Sequence, residues 1–120
     1  MIKALIATPI QRRFKFRCDV DWMKRLKVRG IVIGRNVYFA ESGKDLPQFL
    51  FRHELEHAYQ QIRDGRFRFY LKYFYYSLRY DYENNPYEVE ARSAATMPLT
   101  TNEEQLLWKL KDDSGKSKNL

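Results

Sequence analysis

Only two histidines occur in the 120 residues of the chain, and they stand four positions apart. They enclose the segment His53-Glu54-Leu55-Glu56-His57, which is an HExxH motif. On a helix, residues four apart lie one turn apart on the same face, so both imidazoles can reach one metal ion. Glu54 lies beside this pair, where its carboxylate can hold the water of the metal rather than the metal itself. The motif therefore predicts a zinc site at which Glu54 activates zinc-bound water as general base and acid.

A catalytic zinc ion needs a third protein ligand, and no histidine is left to supply it. The usual alternative is a carboxylate on a second helix. Glu88 and Glu90 are the candidates, because both follow Asn85 and Pro86, a pair that is typical of a helix start. Successive residues differ by about 100° around a helix, so only one of the two can face the metal. We favour Glu88, because the small Ala91 one turn further on permits close approach of a neighbouring helix.

The elements that must position these residues form an α+β fold that is mostly helical after residue 45. Two β-branched or aromatic runs, residues 30–33 and 37–40, are joined by a Gly/Asn turn, which predicts a hairpin. The alternating segment 12–17 predicts a further strand, and a short helix is expected after it. The HExxH motif lies in a predicted helix that begins at a capping box of Asp45 and Gln48 and ends at Gly65.

Three further helices are predicted downstream. The aromatic block 66–82 has its apolar residues at helical spacing, and a helix capped by Asn85 is expected to continue to Pro98. Thr101 and Glu104 predict the start of a last helix. We expect a small sheet or hairpin packed on the HExxH helix and on the helix that carries Glu88. The chain is expected to form one domain over residues 1–120, with the apolar-poor segment 112–120 as a flexible tail.

Residues 30–95 resemble the small gluzincin-type zinc metallopeptidases, among them the minigluzincins. The matching segments are the strand that begins at Gly30, the HExxH helix, and Asn85-Pro86-Tyr87-Glu88-Val89-Glu90-Ala91. In such proteins a strand or hairpin precedes HExxH, and a "glutamate helix" with an ExxA-type motif follows it. The resemblance implies that His53, His57 and Glu88 bind Zn2+ and that Glu54 is the general base and acid. It also implies that a strand near residues 37–40 forms the rim of the cleft and pairs with an extended peptide.

Two supporting contacts have several candidates each. Many of these families place Asp after the alanine of the glutamate helix to orient a ligand histidine, whereas this chain has Arg92 there. Glu56 and Glu90 are the alternatives for that contact. The oxyanion of the reaction also needs a hydrogen-bond donor, and with both histidines used the donor must be a tyrosine. The candidates near the glutamate helix are Tyr80, Tyr82 and Tyr87.

Composition and charge exclude several classes of protein. With 44% hydrophobic residues the chain is not disordered, and no apolar run approaches the roughly 18 residues that span a bilayer. Residues 1–16 lack the layout of a signal peptide. Cys18 is the single cysteine, which excludes an internal disulfide and favours a reducing, cytoplasmic location.

The net charge of +7 and the aromatic content of 16% suit nucleic-acid binding, because basic and aromatic residues alternate in 12–17 and 66–79. An aromatic stripe at helical spacing is more often part of a core, so nucleic-acid binding is not favoured as the main role. A membrane-surface role of the aromatic block is favoured still less.

The favoured function is that of a zinc-dependent metallopeptidase that hydrolyses a peptide or protein substrate. The alternative is a catalytically silent or latent zinc-stabilised binding module, in which four protein ligands close the metal site. Latency would arise if Cys18 bound the metal as thiolate, or if residues 108–120 folded over the cleft. We expect Cys18 instead to be a small buried hydrophobe.

Overall fold

The computed structural model describes residues 13–118, and the side chains of residues 13–113. Within this part of the chain the fold is α+β, with a small three-stranded sheet that precedes four main helices. The predicted fold class and the predominance of helix after residue 45 are therefore confirmed. Residues 1–16 are interpreted above as lacking the layout of a signal peptide, and residues 1–12 of this segment lie outside the described residues.

The sheet is built around the predicted hairpin. Strand β2 (Gly30–Ile33) pairs antiparallel with β3 (Asn36–Phe39), and the turn between them contains Gly34 with a φ of 60°. Strand β1 (Lys15–Arg17) pairs in parallel with the other side of β3. The short helix α1 (Asp21–Leu26) lies in the connection from β1 to β2. The strand order is β1-β3-β2.

This order corrects one expectation about the cleft. Val37 and Phe39 of β3 are fully buried, and β3 has a hydrogen-bonded strand on each side. The prediction that residues 37–40 form the rim of the cleft is wrong, because a central strand has no free backbone groups to offer a peptide. In the described sheet the edge on this side belongs to β2.

The HExxH motif lies in helix α2 (Gln48–Asp64), whose start differs from the predicted one. Asp45 closes a short 3-10 turn (Gly43–Asp45), and Pro47 occupies the N-cap position of α2. The predicted end is confirmed, because the helix stops at Gly65 with a φ of 86°, which other residues rarely adopt.

The next two helices follow the predicted order. Helix α3 (Arg66–Asn84) contains the aromatic block, and helix α4 (Pro86–Ala94) is the glutamate helix. The side chain of Asn85 accepts a hydrogen bond of 2.9 Å from the backbone N–H two residues ahead, which confirms it as the N-cap of α4. Helix α4 ends at Ala94, one turn before the predicted limit at Pro98.

Helix α5 (Thr101–Lys118) starts with a capping box one residue earlier than predicted. The Thr100 hydroxyl accepts from the N–H of Glu103, and the Glu103 carboxylate accepts from the N–H of Thr100. Residues 112–118 are helical, and the flexibility of the 112–120 tail stays a prediction.

The core lies between the sheet, α2 and α5. Its buried residues include Val37 and Phe39 of β3, Phe51 and Leu55 of α2, and Leu106 and Leu107 of α5. Cys18 packs against this cluster, and burial raises the pKa of its thiol to about 11. Cys18 is half-buried, and it does not belong to the group of side chains that could hold a metal ion among the described residues.

The apolar stripe of α3 faces solvent, contrary to the core role that its spacing suggests. Of this helix only Phe69 is fully buried, whereas Phe67 is 79% exposed and Leu78 is 73% exposed. Among the described helices, α3 included, none is long and apolar enough to cross a membrane.

Candidate metal centre

Three side chains predicted to bind a metal converge although they belong to two helices. His53 and His57 lie one turn apart on α2, and Glu88 lies in the first turn of α4. His53 Nε2 is 3.1 Å from Glu88 Oε1, and His57 Nε2 is 3.3 Å from Glu88 Oε2. Each residue offers one ligand atom, and these atoms lie within 4.8 Å of one another. Two imidazole nitrogens and one carboxylate in this arrangement fit the three-ligand set of a zinc site.

Close packing of α2 on α4 brings these side chains together. Ala58 of α2 and Ala91 of α4 are fully buried, so no bulky side chain separates the two helices there. The start of α4 is held by Asn85, whose amide donates to the Tyr73 carbonyl and to the Ser77 hydroxyl of α3. The small residue at position 91 therefore has the effect that the sequence predicts.

Glu88 is an ionised carboxylate in this setting. Burial alone would raise its pKa, but hydrogen bonds from His53, His57 and Tyr73 lower the pKa well below its usual range. Burial alone would lower the pKa of His57, yet its hydrogen bond to Glu88 and the charge of Glu54 raise it overall. An anionic carboxylate between two imidazoles is the charge arrangement that a divalent cation requires.

Gln60 orients His57, a role that the sequence did not reveal. His57 Nδ1 lies 2.9 Å from the amide oxygen of Gln60, which can only accept, so Nδ1 carries a proton and Nε2 faces Glu88. The Gln60 amide nitrogen donates to the Tyr87 carbonyl at 3.0 Å and to Glu90 at 2.8 Å, which fixes its orientation. The position of Gln60, three residues after His57 on the same helix face, is the signal that could have identified it.

We expect Gln60→Ala to weaken zinc binding about 10- to 100-fold, because the His57 ring loses its orienting acceptor. The measurement is a zinc titration against a competing chelating dye. Gln61→Ala is the matched control, since the Gln61 amide is also buried but donates to the Tyr70 hydroxyl. Equal affinities of the two variants would contradict the orienting role of Gln60.

Glu54 lies beside the metal ligands, and its carboxylate is available to accept a proton. Its side chain is buried, and burial raises the pKa of the carboxyl group. Within residues 13–113 no side chain or backbone N–H donates a hydrogen bond to this carboxylate. Gly30 of β2 lies against it, and a Cβ atom at this glycine would lie 2.8 Å from Glu54 Cγ. The edge strand β2 can approach Glu54 this closely because Gly30 has no side chain.

A cavity of about 340 Å³ extends from the metal ligands between β2 and α3. The Ala40 N–H donates to the Arg29 carbonyl, so in the alternating antiparallel ladder the backbone groups of Gly30 and Val32 point away from β3. The Tyr70 hydroxyl donates to the Val32 carbonyl at 3.2 Å, which agrees with a carbonyl that points away from β3. One wall of the cavity is therefore a strand edge.

Three tyrosines of α3 line the cavity: Tyr70, whose hydroxyl bonds to β2, and Tyr73 and Tyr82, which face Glu88. Tyr82 was predicted as an oxyanion donor, whereas Tyr73, which donates to Glu88, was not singled out from the sequence. Burial raises the pKa of both phenols, and the charge of Glu88 raises it further, so both keep their protons and remain donors. Helix α3 breaks just before Tyr82, at Asp81, whose φ is 62° and ψ is 177°.

The two other predicted tyrosines lie elsewhere. Tyr87 is buried, and its hydroxyl donates to Asp64 at 2.6 Å. Tyr80 is 43% exposed and packs on the Tyr76 ring. Neither of them lines the cavity beside the histidines.

The remaining predicted supporting residues point to other partners. Glu56 pairs with Arg52 at 2.9 Å, and Arg52 in turn lies 3.7 Å from Glu103 of α5. Glu90 reaches His57 only through Gln60. The guanidinium of Arg92 donates to the backbone carbonyl of Glu83.

The chain matches no protein-family model, no curated protein and no solved structure with which it was compared. Its class therefore rests on its own geometry. It is a mostly helical α+β protein with an HxxxH pair and a buried His53-His57-Glu88 group that could hold a metal ion.

Proposed function

We propose that this chain is a zinc-dependent metallopeptidase of the gluzincin type, which cleaves peptide bonds at the His53-His57-Glu88 site. One observation carries the proposal: the three ligand side chains converge next to Glu54, a buried carboxylate that accepts no hydrogen bond within residues 13–113. A structural zinc site would have a fourth protein ligand, whereas the group found among the described residues has three members. The proposed location is the cytoplasm, in line with the single, half-buried cysteine.

The proposed mechanism assigns one task to each group. Bound zinc would supply Lewis acidity to a water molecule and to the carbonyl of the scissile bond. Glu54 accepts the proton that this water loses and passes it to the amide nitrogen of the leaving group. Of the three phenols in the cavity, Tyr70 donates to a backbone carbonyl of β2 and Tyr73 donates to Glu88, so Tyr82 is the proposed donor to the oxyanion.

The proposed substrate is an extended peptide that pairs with the edge of β2. The outward N–H and C=O groups of Gly30 and the N–H of Val32 offer hydrogen bonds to an added strand, whereas the Val32 carbonyl already accepts from Tyr70. Phe69 and Ile31, on opposite sides of the cavity, offer apolar surface to one substrate side chain.

The test combines zinc loading with cleavage of a peptide library. The zinc-loaded chain is incubated with quenched fluorescent peptides, and we expect cleavage that 1,10-phenanthroline abolishes and added zinc restores. Tight binding of one zinc ion without cleavage of any peptide would favour the silent binding module. Failure to bind zinc would contradict both functions.

We expect Gly30→Ala to lower kcat/KM for peptide cleavage about 100-fold, because the new methyl group displaces the carboxylate of Glu54. Zinc affinity should change less than about tenfold, because the three atoms nearest to a Cβ atom at Gly30 all belong to Glu54, which is not one of the three ligands. Both quantities are measured on the same preparation, together with far-ultraviolet circular dichroism. Unchanged kcat/KM in the folded variant would show that this contact does not position Glu54.

A further inference from the structure

Helix α3 carries a line of large apolar side chains that no part of the described chain covers. This apolar ridge consists of Phe67, Leu71, Phe74 and Leu78, which follow one another at helical spacing over three turns. They are 79%, 57%, 67% and 73% exposed, respectively. The buried residue of the helix, Phe69, points to the opposite side. A continuous exposed apolar surface of this kind marks an interaction site.

Basic side chains accompany the ridge along one side. Arg68, Lys72 and Arg79, here called the basic flank, each directly follow a ridge residue and so lie about 100° further around the helix. All three are exposed. From residue 66 to residue 80 the sequence contains no acidic residue. Lys72 lies near Asp64 of α2, whose carboxylate is itself paired with Arg63. The surface of α3 is therefore apolar along its crest and cationic along one side.

We propose that this face of α3 docks on an anionic lipid surface, with the ridge in the interfacial region and the basic flank on the lipid headgroups. The helix would lie parallel to the membrane, as expected of a cationic amphipathic helix that is not apolar enough to span it. Its aromatic residues suit the boundary between apolar and polar layers. Each basic residue near such a surface adds attraction to anionic lipids.

Charge and shape favour a lipid surface over a second copy of the chain and over a nucleic acid. A second copy of the chain would bring two basic flanks together in a protein whose net charge is already +7. A nucleic acid would neutralise the flank, but its phosphates would leave Leu71 and Leu78 exposed to water. A lipid surface satisfies the ridge and the flank at the same time.

Docking in this way leaves the candidate metal centre accessible. Tyr73, which lines the cavity, lies on the side of α3 that faces α2 and α4, away from the ridge. The proposal therefore does not depend on the zinc chemistry and holds for an enzyme or for a binding module.

The test is co-flotation of the whole chain with lipid vesicles. We expect binding to vesicles of phosphatidylcholine mixed with phosphatidylserine, and at least about tenfold weaker binding to phosphatidylcholine alone. High salt should weaken binding to the mixed vesicles, because it screens the flank. No binding to the mixed vesicles by the folded chain, or equal binding to both kinds of vesicle, would overturn the proposal.

Matched variants separate the ridge from the flank. Leu78→Gln should lower the partition coefficient about tenfold, whereas Leu26→Gln, at a leucine of α1 that is 67% exposed, should not. Arg68→Gln/Lys72→Gln should also lower it at least about tenfold, whereas Arg25→Gln/Lys27→Gln should have a much smaller effect.

Three outcomes would contradict the proposal. Equal losses in the test and control variants would show that binding does not use α3. A dimer in light scattering that Leu78→Gln dissociates, without vesicle binding, would assign the ridge to a second copy. Binding of single-stranded RNA that the flank variant abolishes, again without vesicle binding, would assign the surface to nucleic acid. Circular dichroism of each variant verifies that it is folded.

Discussion

Glu54→Gln is expected to lower kcat for peptide hydrolysis about a thousandfold while the chain still binds one zinc ion. Glutamine has nearly the shape of glutamate, but its amide cannot take a proton from water and return it to the leaving nitrogen. Zinc binding should persist, because the ligand group consists of His53, His57 and Glu88. The measurements are kcat at saturating peptide and the zinc content of the same sample.

Glu56→Gln is the matched control for this variant. Glu56 lies two residues further along α2 and pairs with Arg52 at 2.9 Å, outside the cavity. We expect its kcat to stay within about threefold of the original, with a small loss of thermal stability from the weakened ion pair. Full activity of Glu54→Gln would contradict the assignment of Glu54 as the base.

Glu88→Ala should weaken zinc binding by at least about 100-fold, since it removes the anionic ligand, whereas loss of a merely orienting contact costs about 10- to 100-fold. Glu90→Ala should have less than about a tenfold effect. The Glu90 carboxylate bonds to Gln60 and Arg63, and Gln60 keeps its second bond to the Tyr87 carbonyl without it. Competition titrations with a chelating dye measure both affinities.

A second variant, Glu88→Gln, separates the loss of the ligand from a folding defect in Glu88→Ala. Removal of Glu88 leaves His53, His57 and Tyr73 without a shared hydrogen-bond acceptor, so the variant is expected to lose stability as well. Glu88→Gln retains a carbonyl acceptor of the same length and removes only the charge. Similar zinc affinities of Glu88→Gln and the original chain would rule out Glu88 as an anionic ligand, and a stronger effect of Glu90→Ala would transfer that role to Glu90.

The parts of the site that follow from local periodicity could be predicted from the sequence. His53 and His57 share a face because they are four residues apart on a helix, and that helix has a clear stop at Gly65. Asn85 and Pro86 likewise define the start of α4, which sets the rotation of Glu88 about that helix. Such features depend on backbone geometry and on neighbours within one turn.

Contacts between distant segments could not be predicted in the same way. Tyr73 is one of nine tyrosines, and only the packing of α3 against α4 brings its hydroxyl to Glu88. The resemblance implies a cleft rim at residues 37–40, and the hairpin by itself does not reveal which of its strands will receive a third strand. The parallel pairing of β1 with β3 decides this and leaves β2 at the edge.

The sequence alone determined that both histidines share one helix face, that Glu54 lies beside them, and that a third metal ligand would be a carboxylate. Helical spacing and the absence of further histidines are sufficient for these conclusions. The tertiary structure decided which residue orients His57, which tyrosines reach the cavity and which strand borders the cavity. The same holds for the aromatic block, whose periodicity predicts one apolar face but not its burial. Burial depends on whether another element covers that face, and in the described structure α3 packs through Phe69 and leaves the ridge in water.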